Sequence, residues 1–131
     1  MKSPIFIFSM PRSGSTLLQR LLSGHNKIAT LSEPWILLPL LYANKTKGVI
    51  SEYSHLNSQK AINDLISHLP EKEDSFYQCL EKFSSSLYSN LCCNNEDYFL
   101  DKTPRYYLII PEIFKLYPNA KFIFLFRNPA D

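Results

Sequence analysis

Residues 5–18 read Ile5-Phe6-Ile7-Phe8-Ser9-Met10-Pro11-Arg12-Ser13-Gly14-Ser15-Thr16-Leu17-Leu18, and this stretch decides the fold. An apolar run of β-type residues stops at a Pro/Gly/Ser turn, and a helical apolar pattern starts directly after it. Strand, short loop and helix in that order gather backbone N–H groups and a helix N-terminus around one point, which forms an anion cradle. The loop supplies one fixed cation, Arg12, and three hydroxyls, Ser13, Ser15 and Thr16. Such a set suits a group with several phosphate or sulfate oxygens. A plain βα turn, which also accepts Gly and Ser, is the simpler alternative.

The loop departs from the nucleoside-triphosphate pattern G-x-x-x-x-G-K-[ST], whose Lys touches the β/γ-phosphates and whose last hydroxyl holds Mg²⁺. Ser9 stands at the first Gly, Gly14 keeps the second, Ser15 replaces the Lys, and Thr16 keeps the final hydroxyl. The cation has moved upstream to Arg12, and nothing nearby resembles a metal-holding Asp at a strand end. The expected ligand is a phosphorylated donor bound without a required metal.

Working outward, residues 5–9 predict a buried strand and Ser15–Leu22 the helix after it, with Gly24 as its C′ residue. Lys27–Leu31 predicts a second strand ending at Ser32-Glu33, and Pro34–Tyr42 a short apolar helix or turn packed on the sheet. Residues 43–56 read as a surface loop. A helix over Ser58–Leu69 places Ala61, Ile62, Leu65, Ile66 and Leu69 on one face, and Pro70 ends it. Phe76, Leu80, Phe83, Leu87 and Leu91 then repeat at helical spacing, and core packing is the simplest reading of that stripe. Asn94-Asn95 closes this helix and Tyr98–Leu100 is the third strand. Pro104 falls just inside the next helical stretch, which Pro111 divides. Lys121–Phe126, a continuous apolar run, reads as a central parallel strand. Strands alternating with helices give an α/β protein.

Pro11-Arg12-Ser13-Gly14-Ser15-Thr16-Leu17-Leu18 resembles the 5′-phosphosulfate loop of sulfotransferases, most closely the P-R-S-G-[ST]-T-L form of tyrosylprotein sulfotransferases and bacterial relatives. Ser32-Glu33-Pro34, Asp101-Lys102-Thr103-Pro104 and Lys121-Phe122-Ile123-Phe124-Leu125-Phe126-Arg127-Asn128-Pro129 fit the same family in the same order. The resemblance implies a P-loop NTPase-like three-layer sandwich with a parallel sheet flanked by helices. It also implies transfer of a sulfuryl group from 3′-phosphoadenosine 5′-phosphosulfate to a hydroxyl or amine. Domains of this family run to about twice the present length, so residues 1–131 are expected to be one partial, truncated domain.

The resemblance also assigns roles. Arg12 would neutralise the leaving phosphate, with Ser13, Gly14, Ser15 and Thr16 binding the 5′-phosphosulfate and the helix dipole adding to their field. Glu33, at the end of the second strand, would be the general base; an exposed Glu before Pro is the bland alternative. Lys102 matches the Lys of a [DE]-K-[TS]-P motif near the transferring group, with Asp101 orienting it and Thr103-Pro104 fixing the turn. A surface Lys after a strand is its alternative. Arg127 would grip the donor 3′-phosphate, and the Ser that completes that site would lie beyond Asp131. Arg105 and Tyr106 could line the acceptor cleft. Other family members use a His as base, but His25, His55 and His68 carry no motif.

Composition bounds the rest. A chain of 131 residues, 45% hydrophobic and 14% aromatic, can build one core. A net charge of +2 gives no bulk attraction to nucleic acid or acidic lipid. Cys79, Cys92 and Cys93 have neither disulfide nor metal spacing, and read as buried or half-buried thiols of a reducing compartment. No leader or membrane span is evident, which predicts a cytoplasmic protein. The acceptor (glycan, lipid, peptide or small alcohol) stays open. So do two rival functions: a P-loop small-molecule kinase, and an inactive fragment that folds or binds adenosine bisphosphate.

Overall fold

The computed structural model describes residues 1–128 and 130. Four strands form one parallel sheet: β1 (Ser3–Ser9), β2 (Ile28–Thr30), β3 (Tyr98–Asp101) and β4 (Lys121–Leu125), in spatial order β2-β3-β1-β4. β1 lies between neighbours, with Ile5 opposite Leu100 on one side and Lys121 on the other. A strand paired on both edges and covered on both faces must be apolar throughout. Pro4 to Phe8 are accordingly all buried.

Successive side chains of β1 point to opposite faces. Phe6 and Phe8 join Leu37, Leu41, Tyr88, Phe99, Tyr106, Ile109 and Ile113 in the main core. That face is covered by α2 (Leu37–Tyr42), α4 (Glu73–Leu91), a 3₁₀ turn (Tyr106–Ile109) and α5 (Ile110–Leu116). Ile5 and Ile7 face Leu18 and Leu22 of α1 (Ser15–Ser23) in a smaller cluster. α3 (His55–Ser67) packs on α4 outside these layers. The result is helix, sheet, helix, as the sequence pattern implies. Each fully buried aliphatic or aromatic side chain, such as Phe6, Phe99, Leu37 or Ile113, contributes about 1.5–3 kcal/mol of burial free energy.

Several local expectations need correction. On α4 the buried positions are Ser84 and Tyr88, whereas Phe83 is 50% exposed and Leu87 and Leu91 are about as open. The apolar stripe therefore lies beside the buried face and is not its centre. On α3, which starts three residues earlier than expected behind the capping hydroxyl of Ser54, Ile66 is buried but Ala61 and Leu65 are exposed. β4 is an edge strand among the described residues, paired only with β1. Gly24 closes α1 in a right-handed conformation, φ −68°, so the left-handed freedom of glycine is not used there. Pro104 falls in the turn ahead of the 3₁₀ segment, and Pro111 sits in the first turn of α5. Cys79 and Cys93 are exposed and only Cys92 is half-buried; burial raises the Cys92 thiol above its ordinary value.

Candidate functional site

Parallel strands send all their C-terminal ends to one edge of the sheet, where ligands of open α/β folds bind. Residues 10–16 follow β1, residues 31–35 follow β2, residues 102–104 follow β3 and residues 126–128 follow β4. Arg12, Ser13, Gly14, Ser15, Thr16, Glu33, Lys102 and Arg127 all lie in these segments, whereas Asp101 ends β3 itself and Arg105 and Tyr106 follow Pro104. In the order β2-β3-β1-β4, Glu33 and Lys102 belong to one half of the edge and Arg12 and Arg127 to the other. Three strand spacings of about 4.8 Å separate the outer strands.

The loop after β1 is tightly wound. Arg12 has φ 61° and Gly14 φ 90°, two left-handed residues flanking Ser13. A side chain at Gly14 would meet no neighbour within 4 Å, so the backbone conformation and not crowding calls for glycine there. Gly14 is the N-cap of α1, and no side chain caps the helix. The first turn holds Ser15 and Thr16 and no acidic residue, which leaves the positive end of the helix dipole uncompensated by the chain. Ser13 Oγ is buried and has no hydrogen-bond partner among the described residues. A buried hydroxyl without a partner costs free energy, so this atom is a natural contact for an oxygen-rich anion. Arg12 and Arg127 line one cleft of about 390 Å³ together with Pro11, Ser13, Phe126 and Asn128. A larger cleft, about 670 Å³, opens at the opposite edge around Lys2, Ser3 and Asn119, away from all these groups.

The second half of the edge is an ion pair. Lys102 Nζ donates to Glu33 Oε1 at 2.8 Å, with the lysine side chain 4% exposed and the glutamate 34%. The indole N–H of Trp35 donates to the other carboxylate oxygen at 3.3 Å. The lysine bond, first, and the indole bond hold the Glu33 carboxyl below its ordinary value, against a smaller opposing effect of burial. Glu33 is thus an anion with lone pairs to spare, since a carboxylate accepts about four hydrogen bonds. Lys102 is no surface lysine.

Asp101 does not orient Lys102 through a hydrogen bond. Its buried carboxylate accepts from Tyr88 Oη at 2.5 Å, Tyr106 Oη at 2.9 Å and Thr103 Oγ1 at 2.9 Å. Burial raises it to about 6, although the three hydroxyls and the nearby Lys102 ammonium pull the other way. The Thr103 hydroxyl also accepts the Trp35 backbone N–H at 3.3 Å. Tyr106 is fully buried in the main core, while exposed Arg105 donates to Tyr107 Oη at 2.9 Å.

The histidines stay away from this edge. His25 accepts from the Lys27 N–H ahead of β2, and His55 and His68 bond to carbonyls at the two ends of α3. Pro129 of the last motif lies outside the described residues.

Two residues went unread in the sequence. Trp35 has φ 58°, unusual for a bulky side chain, and carries the indole that touches Glu33. Gln19 is buried on α1 and donates to residues just before Glu33. Its signal was its place three residues before Leu22, on the sheet-facing side of the helix. No helix among the described residues is long and apolar enough to cross a membrane.

Known proteins are similar to this chain in sequence. Nodulation protein NoeE of Sinorhizobium fredii (strain NBRC 101917 / NGR234) is 31% identical over 125 residues, covering 95% of this chain and 28% of that protein. An uncharacterized protein of Aquifex aeolicus (strain VF5) is 27% identical over 133 residues, covering 99% of this chain and 16% of its own length. The chain thus spans less than a third of either relative. A family model described as the sulfotransferase family matches residues 4–131, from the start of β1 through all four edge segments, and the chain belongs to that family.

Proposed function

We propose that this chain carries the donor-binding loop and the general base of a sulfotransferase that uses 3′-phosphoadenosine 5′-phosphosulfate and acts on a hydroxyl or amine. The observation that carries this reading is the buried, unpartnered Ser13 hydroxyl beside Arg12 at an uncapped helix start. Hydroxyl, guanidinium and first-turn N–H groups are the donor set that a phosphosulfate needs. When bound, the donor supplies an activated sulfur–oxygen bond whose phosphate departs as the acceptor attacks.

The chain's own groups do the rest. Arg12, Ser13 and the N–H groups of Ser15 and Thr16 balance charge that grows on the leaving phosphate. Arg127, in the same cleft as Arg12, binds a second phosphate. Glu33 takes the acceptor proton at a carboxylate oxygen, and Lys102 keeps that carboxylate ionised and aimed. Lys102 also brings positive charge toward the centre of the edge, where a negatively charged group would be transferred. No metal is required by this arrangement.

Calorimetric titration with adenosine 3′,5′-bisphosphate in the absence of Mg²⁺ tests the reading. Binding to the chain, lost in Arg12→Ala, is the expected result. Binding of ATP with Mg²⁺ and none of the bisphosphate would overturn it in favour of a kinase.

A further inference from the structure

We propose that Gln19 is a positioning residue for Glu33, locking the helix that starts at the anion loop to the segment that carries the base; this rests on the role given to Glu33 above. Gln19 is 6% exposed. Its Nε2 lies 2.9 Å from Thr30 Oγ1, 2.8 Å from Leu31 O and 3.2 Å from Ser32 O. Two N–H bonds serve three acceptors, so one of them is shared. Those acceptors belong to the three consecutive residues that lead into Glu33.

The placement matters because the β ladder stops supporting this segment. Among the described residues β2 is an edge strand, and its last ladder pair is Thr30 with Leu100. Residues 31–33 have no strand partner among the described residues, and the Gln19 amide bonds to this segment instead. Thr30 Oγ1 also donates to Leu100 O at 2.7 Å, which extends the chain of hydrogen bonds to the residue before Asp101-Lys102. On the far side, Trp35 N–H is held by Thr103. Glu33 is therefore pinned on both flanks, and one flank is anchored on α1. A long polar side chain is buried only when its bonds offset the loss of water. Here all those bonds go to the base-bearing segment.

The test is Gln19→Met, close in volume and without donors. Leu31 and Ser32 are exposed, so their carbonyls can bond water once released. Carboxyl-carbon NMR, with the Glu33 signal assigned by its absence in Glu33→Gln, reads the titration of Glu33 without any nucleotide. The expected result is a Glu33 midpoint that moves up toward the ordinary glutamate value as the contact with Lys102 loosens. Adenosine 3′,5′-bisphosphate affinity, read separately, should stay within about threefold because the loop itself is untouched. An unchanged Glu33 midpoint in folded Gln19→Met would overturn the proposal. If that variant does not fold, the unmutated chain decides. Side-chain amide protons of Gln19 that exchange slowly with water and lie close to Thr30 and Ser32 support the proposal, and rapidly exchanging ones overturn it. Failure of the unmutated chain to bind the bisphosphate would instead count against the donor reading, since the Glu33 titration does not depend on it.

Discussion

The buried ammonium of Lys102 and the carboxylate of Glu33 meet at 2.8 Å although they are 69 residues apart in the chain. Parallel pairing makes this possible: β2 and β3 are neighbours, so the residues that follow each emerge side by side. The same pairing sets β1 next to β3 and brings the anion loop to the adjoining position. A base, its cationic partner and an anion cradle thus share one edge with no contribution from chain proximity. The lysine is the more deeply buried partner and depends on the glutamate more than the reverse, since an unpaired buried charge is costly.

Glu33→Gln should separate binding from chemistry. The amide oxygen still accepts from Lys102 but no longer neutralises its buried ammonium, so stability should fall by about 3 kcal/mol. In the folded variant adenosine 3′,5′-bisphosphate affinity changes by no more than about threefold, while sulfuryl transfer falls by about 10²–10⁴ as expected for a lost general base. Calorimetry and transfer of labelled sulfate to a panel of sugars and alcohols measure the two effects. Lys102→Met should cost the fold little, within about 1 kcal/mol, because it removes the buried ammonium and leaves a partly exposed Glu33 carboxylate that water can solvate.

Gly14→Ala probes the loop without adding a clash. Nothing lies within 4 Å of the new methyl, so the penalty is the left-handed backbone alone, about 1–2 kcal/mol. Thermal unfolding should show that loss, and bisphosphate binding should weaken with it as the N–H groups of the cradle shift. An unchanged stability would mean that the loop relaxes to a right-handed form at no cost.

The sequence made the elements and the edge legible because both follow from local rules. An apolar run before Pro11-Arg12-Ser13-Gly14 can only be a buried strand feeding a helix, and the parallel order then brings Glu33 and Lys102 to one edge. What stayed hidden were contacts set by tertiary burial. Asp101 read as a partner for Lys102 because the two are adjacent. Adjacent residues at a strand end point opposite ways, and the carboxylate went into the core to meet Tyr88 and Tyr106. Gln19 and Trp35 carry no local mark of their role. On α4 the larger apolar side chains define a stripe, yet hydrogen-bonding Ser84 and Tyr88 occupy the buried face, since Tyr117 Oη offers Ser84 a partner at 2.5 Å.

That reversal on α4 can be measured. Leu87→Ser, at a position 39% exposed, should change stability by less than about 1 kcal/mol, in the range of surface substitutions. Ile113→Ala, at a fully buried site, should cost about 2–5 kcal/mol. Denaturant midpoints of the two variants compare them directly, and a larger loss for Leu87→Ser would restore the apolar stripe as the core face.

Asp101 should give a pH dependence opposite to that of an ordinary paired carboxylate. Burial raises it from 3.8 to about 6 in the folded chain, so between those values the native state binds a proton that the unfolded state has lost. Stability attributable to this group is therefore greatest below the unfolded value and declines as pH rises through the window, by about 3 kcal/mol in total. Asp101→Asn removes the titration but keeps the shape. The stability of the unmutated chain relative to this variant should accordingly fall by about 3 kcal/mol between about pH 4 and pH 7, leaving Glu33 and other carboxylates to cancel in the difference. Urea unfolding of both proteins across that range gives the comparison. A relative stability that rises with pH would mean that the three hydroxyl donors of Tyr88, Tyr106 and Thr103 outweigh burial and hold Asp101 ionised.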